Sequence, residues 1–221
     1  MNSPASAQAM AMDRLYAGQK RVYDISRKYY LFGRDQLIEK IHVAPGSNVC
    51  ELGVGTARNL ILLARRNPQG RYYGIDLSAE MLGEAARNLA RTRLADKIAL
   101  RLTAAEELDY REFGLDAPFD AVYFSYCLAM IPKESIVPAI ESAWRNLAPG
   151  GVLYYVDFGP MSGFPPRVSK MFARWLGLFG AHYHPEVVEA LCALAPTSNV
   201  ELTPLYRGYA LMVTVRKPKS D

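Results

Sequence analysis

Cysteine is scarce in this 221-residue chain: Cys50, Cys127 and Cys192 are odd in number and far apart. That excludes a disulfide scaffold and fits a reducing compartment. Long apolar runs are missing too. A membrane span needs roughly 20 apolar residues, and the best run, Ala121 to Ile131, is shorter and carries Ser125 and two tyrosines. Met1–Ala11 has neither the basic start nor the apolar stretch of a secretory signal, so a cytoplasmic location is expected. Dense Lys/Arg runs and nucleic-acid-binding motifs are absent, and no nucleic-acid partner is expected. Histidine is limited to three residues. His182 and His184 lie two apart, but no metal site is expected of them. No internal repeat or linker is visible.

What remains is an ordinary globular composition, half apolar and 22% charged, which fits one domain with a full core over 1–221. The net charge of +4 is uneven. Cations exceed acids in residues 1–46, and residues 160–184 carry three cations and no acid. Strands are expected at Asn48–Leu52, Arg71–Leu77, Ile98–Leu102, Phe119–Ser125 and Val152–Phe158, with helices over Ala57–Arg66, from Ser78 onward, and Glu134–Leu147. Glu201–Tyr206 and Tyr209–Val215 read as a closing hairpin. Such alternation predicts an α/β fold with a mostly parallel seven-stranded sheet and an antiparallel C-terminal hairpin. The expected divisions are a helical cap (1–46, with a helix over Asp13–Ile41), a ligand-binding core (47–158), an insertion (159–184) and a closing helix and hairpin (185–221).

The chemistry starts at Glu51-Leu52-Gly53-Val54-Gly55-Thr56-Ala57-Arg58-Asn59, which follows a strand and opens a helix. Gly53 permits a tight turn, and Gly55 lets backbone approach a ligand closely. A dinucleotide fingerprint would put its third glycine where Arg58 stands. Here the small residue comes earlier, at Ala57, which disfavours a nicotinamide dehydrogenase. Asp76, ending the second strand, can accept hydrogen bonds from both hydroxyls of a ribose. Leu77 and Met81 can flank an adenine. Glu51 is expected either to accept backbone N–H groups under the loop or to reach the cofactor through water.

These blocks resemble the class I S-adenosylmethionine-dependent methyltransferases, whose Rossmann-like fold carries an E/D-x-G-x-G-x-G loop. The resemblance implies S-adenosylmethionine as cofactor, held by Glu51, Gly53, Gly55, Thr56, Asn59, Asp76, Leu77 and Met81. It also places Ala104, Ala105 and Glu106 beside the adenine, although the family's acid is missing at Ala104. Ser125 and Tyr126 would end the fourth strand facing the methyl group. Further blocks, Met12–Tyr16, Tyr23–Asp35, Ser125–Pro132 and Val156–Gly159, are similar to the bacterial betaine-lipid N-methyltransferases, which trimethylate the amine of diacylglyceryl-homoserine. The alternative acceptors are another lipid or a soluble small-molecule amine. A non-catalytic module of the same fold is disfavoured because the loop and Asp76 are both present.

Methyl transfer to an amine needs a neutral nitrogen positioned in line with the leaving group. Aromatic faces can then hold the cation that forms. Tyr126 is the expected wall of the methyl pocket, with Tyr23 or Tyr30 above it. Arg34, next to Gly33, is expected to bind a carboxylate of cofactor or substrate. His182 can accept the amine proton. Pro166–Phe179 puts Val168, Met171, Phe172, Trp175, Leu176 and Phe179 at helical spacing, with Arg167, Lys170 and Arg174 between them. Such a helix suits either an anionic membrane surface or a buried lid. The sequence sets no oligomeric state.

Overall fold

In a computed structural model, which describes residues 31–178 and 180–219, each apolar run of the sequence finds a place on one sheet. The strands are β1 (Asn48–Leu52), β2 (Arg71–Asp76), β3 (Ile98–Leu102), β4 (Phe119–Ser125), β5 (Leu147–Phe158), β6 (Val200–Leu205) and β7 (Ala210–Arg216). They lie in the order β3-β2-β1-β4-β5-β7-β6. β1 to β5 pair in parallel, while β7 runs antiparallel to both β5 and β6. The order reverses between β1 and β4, which opens a crevice past their carboxyl ends.

Six α-helices are described: α1 (Arg34–Lys40), α2 (Arg58–Arg66), α3 (Ala79–Thr92), α4 (Lys133–Arg145), α5 (Pro166–Gly177) and α6 (Pro185–Ala193). Strand alternation decides which helices meet which face. Val49, Ala121 and Tyr123 point to the side of α1, α2 and α3, with Leu37, Leu60 and Leu89. Cys50, Val122 and Phe124 point to the side of α4 and α6, with Ile136, Ile140 and Leu191. Phe172 and Leu176 bring α5 onto the first of these faces. The sheet is therefore covered on both sides, as a parallel sheet requires.

Several boundaries shift by one or two residues, and three differ from expectation for a visible reason. β5 begins five residues early because the Pro149-Gly150-Gly151 turn is a register irregularity inside the strand, opposite Phe119 and Ala121. Of the helix expected over Asp13–Ile41, residues 13–30 lie outside the described residues, and the described part forms a helix only over Arg34–Lys40. Gly33 takes φ +91°, and α1 starts only at Arg34. A Cβ at Gly33 would lie 2.9 Å from Leu205 Cδ1, so glycine also permits the close approach to β6. The helix after the glycine loop starts at Arg58, because Ala57 is left-handed (φ +60°) and serves as its N-cap. No helix among the described residues is long and apolar enough to cross a membrane.

Candidate active site

A cavity lies at the carboxyl ends of β1, β2 and β4. Its floor is the loop 53–57. Gly53 and Val54 N–H both donate to the Ile75 carbonyl at 2.9 Å, which ties the loop to β2. Gly53 sits at φ +72°, and a Cβ there would meet Cys127 Sγ at 2.5 Å. Gly55 is the opposite case. A Cβ there would project into open space, at φ +53°, into the part of the cavity a ligand would fill. Asp76 closes the loop from the β2 side: its Oδ2 accepts the Gly55 N–H at 2.8 Å and its Oδ1 the Ser78 N–H at 2.9 Å. Ser78 in turn caps α3 by accepting the Met81 N–H.

Glu51 is buried beneath this loop. Its Oε1 accepts from Asn59 Nδ2 at 2.8 Å, and its Oε2 from the Tyr123 phenol at 3.0 Å. Burial pushes its pKa up to about 8, with the Asn59 and Tyr123 hydrogen bonds and nearby Arg34 pulling the other way. Of the two roles expected for Glu51, backbone N–H acceptor or water-mediated contact with the cofactor, the first is not what the structure shows, and two side chains hold the carboxyl instead. One of them, Tyr123, lies 72 residues away.

The β4 side is built differently. Tyr126 follows β4 with φ +54°, a left-handed conformation that costs about 1–2 kcal/mol for a non-glycine residue. Its N–H donates to Val156 O, which fixes it to β5. Its phenol donates to the Phe32 carbonyl, and burial holds that phenol protonated far above the usual tyrosine range. Tyr126 is thus a wall of the cavity and not a base. Ser125 Oγ, next to it, is buried in the cavity lining with no hydrogen-bond partner. The turn that follows, Leu128–Met130, hangs on Asp157. Asp157 Oδ2 accepts the Ala129 N–H at 3.0 Å, and its Oδ1 accepts the Phe158 N–H at 2.8 Å. Burial raises Asp157 to about 7, opposed by these backbone bonds and one from Leu128.

The cavity brings together Arg34, Glu51, Gly53, Gly55, Thr56, Asn59, Asp76, Leu77, Ala104, Ala105, Glu106, Ser125 and Tyr126. Arg34 Nε also donates to the Leu31 carbonyl. Glu106 is steadied at the rim by the Ser135 hydroxyl at 3.1 Å. Two expected residues are not there. Met81 is turned into the core by the first turn of α3, buried and away from the lining. His182 is exposed: its N–H donates to Ala129 O on the outside of the 128–130 turn, and its ring lies against His184. His182 is therefore not among the residues that the structure brings into the cavity lining. Tyr23 and Tyr30 lie outside the described residues. Cys127, Met130 and Ile131 line the cavity without having been singled out, since nothing in an apolar run marks which members will face a ligand.

Next to this cavity lies an aromatic recess lined by Phe32, Phe164, Met171, Phe172, Trp175, Tyr206 and Tyr209. Edge-to-face rings connect the two. Tyr126 packs on Phe158 at 4.8 Å, Phe158 on Tyr209 at 5.9 Å, and Tyr209 on Phe172 at 5.9 Å. α5 does not present one apolar stripe. Phe172 and Leu176 turn inward, while Met171 and Trp175, with Leu178 just beyond the helix, remain exposed.

A model of the methyltransferase domain matches residues 49–151. The chain is 32% identical over 199 residues to the ubiquinone/menaquinone biosynthesis C-methyltransferase UbiE of Desulfotalea psychrophila, covering 84% of this chain and 76% of that one. It is 31% identical over 159 residues to a demethylmenaquinone methyltransferase of Lactiplantibacillus plantarum, covering 69% of this chain and 65% of the relative. A trans-aconitate 2-methyltransferase of Azoarcus is 28% identical, and the match spans 53% of this chain and 41% of the relative's length. The fold is shared with an O-methyltransferase family protein from Burkholderia thailandensis (TM-score 0.71, 18% identity, 93% of this chain, 62% of that one). It is shared also with the N-methyltransferase NodS of Bradyrhizobium japonicum (TM-score 0.58, 17% identity, 91% of this chain, 99% of that one). With the glycine loop, the Asp76 carboxylate and the β4 end gathered on one cavity, the chain belongs to the class I S-adenosylmethionine-dependent methyltransferases.

Proposed function

We propose that this protein transfers methyl groups to the amine of diacylglyceryl-homoserine. The observation that carries the reading is the aromatic recess beside the cofactor cavity, separated from it by Tyr126 and Phe158. An acceptor with a long apolar part needs such a surface next to the reacting centre, and a small soluble metabolite does not. The resemblance of Tyr23–Asp35, Ser125–Pro132 and Val156–Gly159 to betaine-lipid N-methyltransferases supports the same acceptor.

The residues present fit S-adenosylmethionine. Gly55 leaves room for it, the half-buried Asp76 is a carboxylate for a ribose, and the unpartnered Ser125 Oγ is a polar atom waiting for a ligand. When bound, the cofactor supplies an electrophilic methyl on a sulfonium. Asp76 would take the ribose hydroxyls while keeping the Gly55 N–H. Ala104, Ala105 and Leu77 would face the adenine. Glu51, held by Asn59 and Tyr123, offers a carboxyl that a nearby ammonium would draw into its ionised form. The Tyr126 ring, fixed at both its N–H and its phenol, gives the acceptor nitrogen an aromatic wall that does not move. Positioning of this kind supplies much of the rate, and the amine needs no strong base if it binds neutral.

The test is mass spectrometry of lipids from a host making diacylglyceryl-homoserine, with the protein and with its Asp76→Ala variant. Mono-, di- and trimethylated headgroups are expected with the wild type only. An unmethylated headgroup, from protein that still binds S-adenosylmethionine, would refute the lipid amine as acceptor. The names of the relatives favour a second reading, C-methylation of a prenylated quinone ring, whose tail would suit the same recess. A demethylated quinone offered in parallel separates the two.

A further inference from the structure

The cations of α5 have no role in the site just described. Arg167, Lys170 and Arg174 line one shallow depression with Met171 on the outer side of the helix. All three are exposed, and among the described residues no ion pair holds any of them. The sequence explains why: no acidic residue occurs between Gly159 and Pro185. Beside this row runs an apolar ridge. Met171 is 61% exposed, Trp175 36% and Leu178 79%, at helical spacing i, i+4, i+7. Scattered exposed apolar residues need no explanation, but three in a row along a basic helix do. Phe172 and Leu176 anchor the helix to the core from its inner side. The recess lies against this ridge, since Met171 and Trp175 belong to both.

We propose that this outer face of α5 docks the protein onto an anionic lipid bilayer, with the arginines and lysine at the headgroup phosphates and Met171, Trp175 and Leu178 in the interface. The choice of partner follows from charge complementarity: a segment bearing three exposed cations and no acid matches an anionic counterpart, and an apolar ridge beside those cations suits the boundary of headgroups and acyl chains. Docking in this orientation turns the aromatic recess toward the bilayer, so the apolar part of an acceptor reaches it without crossing water. The inference rests on the lipid-acceptor reading for its purpose, not for its geometry.

Cosedimentation of the full chain with phosphatidylcholine vesicles, with and without phosphatidylglycerol, tests it. Binding is expected only to the anionic vesicles and is expected to weaken with salt. The triple variant Arg167→Glu/Lys170→Glu/Arg174→Glu should lose at least about tenfold in partitioning, and Leu178→Ser about tenfold. Both variants should keep wild-type affinity for S-adenosylmethionine, which shows that they fold. Equal binding to both vesicle types, no binding to either, or binding untouched by the triple variant overturns the proposal. So does a dimer in sedimentation velocity that Leu178→Ser dissolves, because the face would then belong to a second copy. Assays on detergent-dispersed lipid need no docking. Methylation there without vesicle binding sinks the docking surface alone, and vesicle binding without methylation sinks the lipid-amine acceptor alone.

Discussion

On the β1–β2 side of the site, hydrogen bonds fix the chain: Gly53 and Val54 on Ile75, Asp76 on Gly55 and Ser78, Glu51 between Asn59 and Tyr123. On the α5 side, rings and cations take over. Tyr209 packs on Phe172 and Phe158, and Arg207 stacks over Phe164 at 5.1 Å. The first half is specified atom by atom, and a misplaced donor there leaves a buried group unpaired, at about 1–3 kcal/mol. The second half is specified by shape and apolar area, which tolerate exchange among large side chains. Such a division fits the proposed lipid-amine reading, in which the first half would hold the cofactor and the second the apolar part of the acceptor.

The sharpest way to break the first half is Gly53→Ala. The new Cβ would meet Cys127 Sγ at 2.5 Å in a left-handed backbone, with a destabilisation of about 3 kcal/mol. Thermal melts would show it, and adding Cys127→Ala should recover part of the loss. No change in melting temperature would mean that the loop is not wedged against Cys127.

Proton linkage gives the next largest effect. Glu51 stands at about 8 against an ordinary 4.5, and Asp157 at about 7 against 3.8. Both carboxyls are raised by folding, so the unfolded chain ionises first. Their contribution is complete below the ordinary carboxylate range and is lost progressively as pH rises from there to about 8. Denaturant unfolding without cofactor should therefore show stability falling by a few kcal/mol, in order of magnitude, across this window. Glu51→Gln should flatten that slope. A wild type whose stability is level or rising over the same range contradicts the assignment.

Asp76→Ala should weaken S-adenosylmethionine by at least about tenfold in calorimetry, the loss of a charge-assisted pair of hydrogen bonds. Undiminished affinity removes Asp76 from the ribose. The mildest change tests the second half. Trp175→Ala should raise KM for a long-chain acceptor about tenfold, the scale of losing a partly buried aromatic contact. S-adenosylmethionine affinity should stay as it was. Equal effects on both ligands would mean that the two halves are not separate.

The frame of the first half was readable in advance. β1, β3 and β4 occupy the expected residues, because short apolar runs between turn residues leave one reading. The glycine loop and Asp76 meet because β1 and β2 are parallel neighbours, with Leu52 opposite Ile75. What the residue string hid are long-range meetings: Tyr123 on Glu51, Asp157 under Ala129, Cys127 against Gly53. Each joins segments whose separation is set only once the sheet order exists. The same holds for His182, whose contact with the 128–130 turn joins segments 53 residues apart through Ala129 O. The periodicity of α5 showed one apolar stripe, yet packing divides it. Leu176 is buried and Phe172 half-buried against the core, while Met171 and Trp175 stay exposed.

The proposed lipid-amine acceptor makes one demand of the two-part site that a single assay addresses: its apolar part must matter as much as its amine. Purified protein, S-adenosylmethionine and either diacylglyceryl-homoserine or its deacylated headgroup, compared by kcat/KM in detergent, would measure this. The diacyl form should be preferred by at least about a hundredfold, the scale of burying a few apolar groups, and Trp175→Ala should narrow the gap. Equal kcat/KM for the two acceptors would contradict the lipid-amine reading.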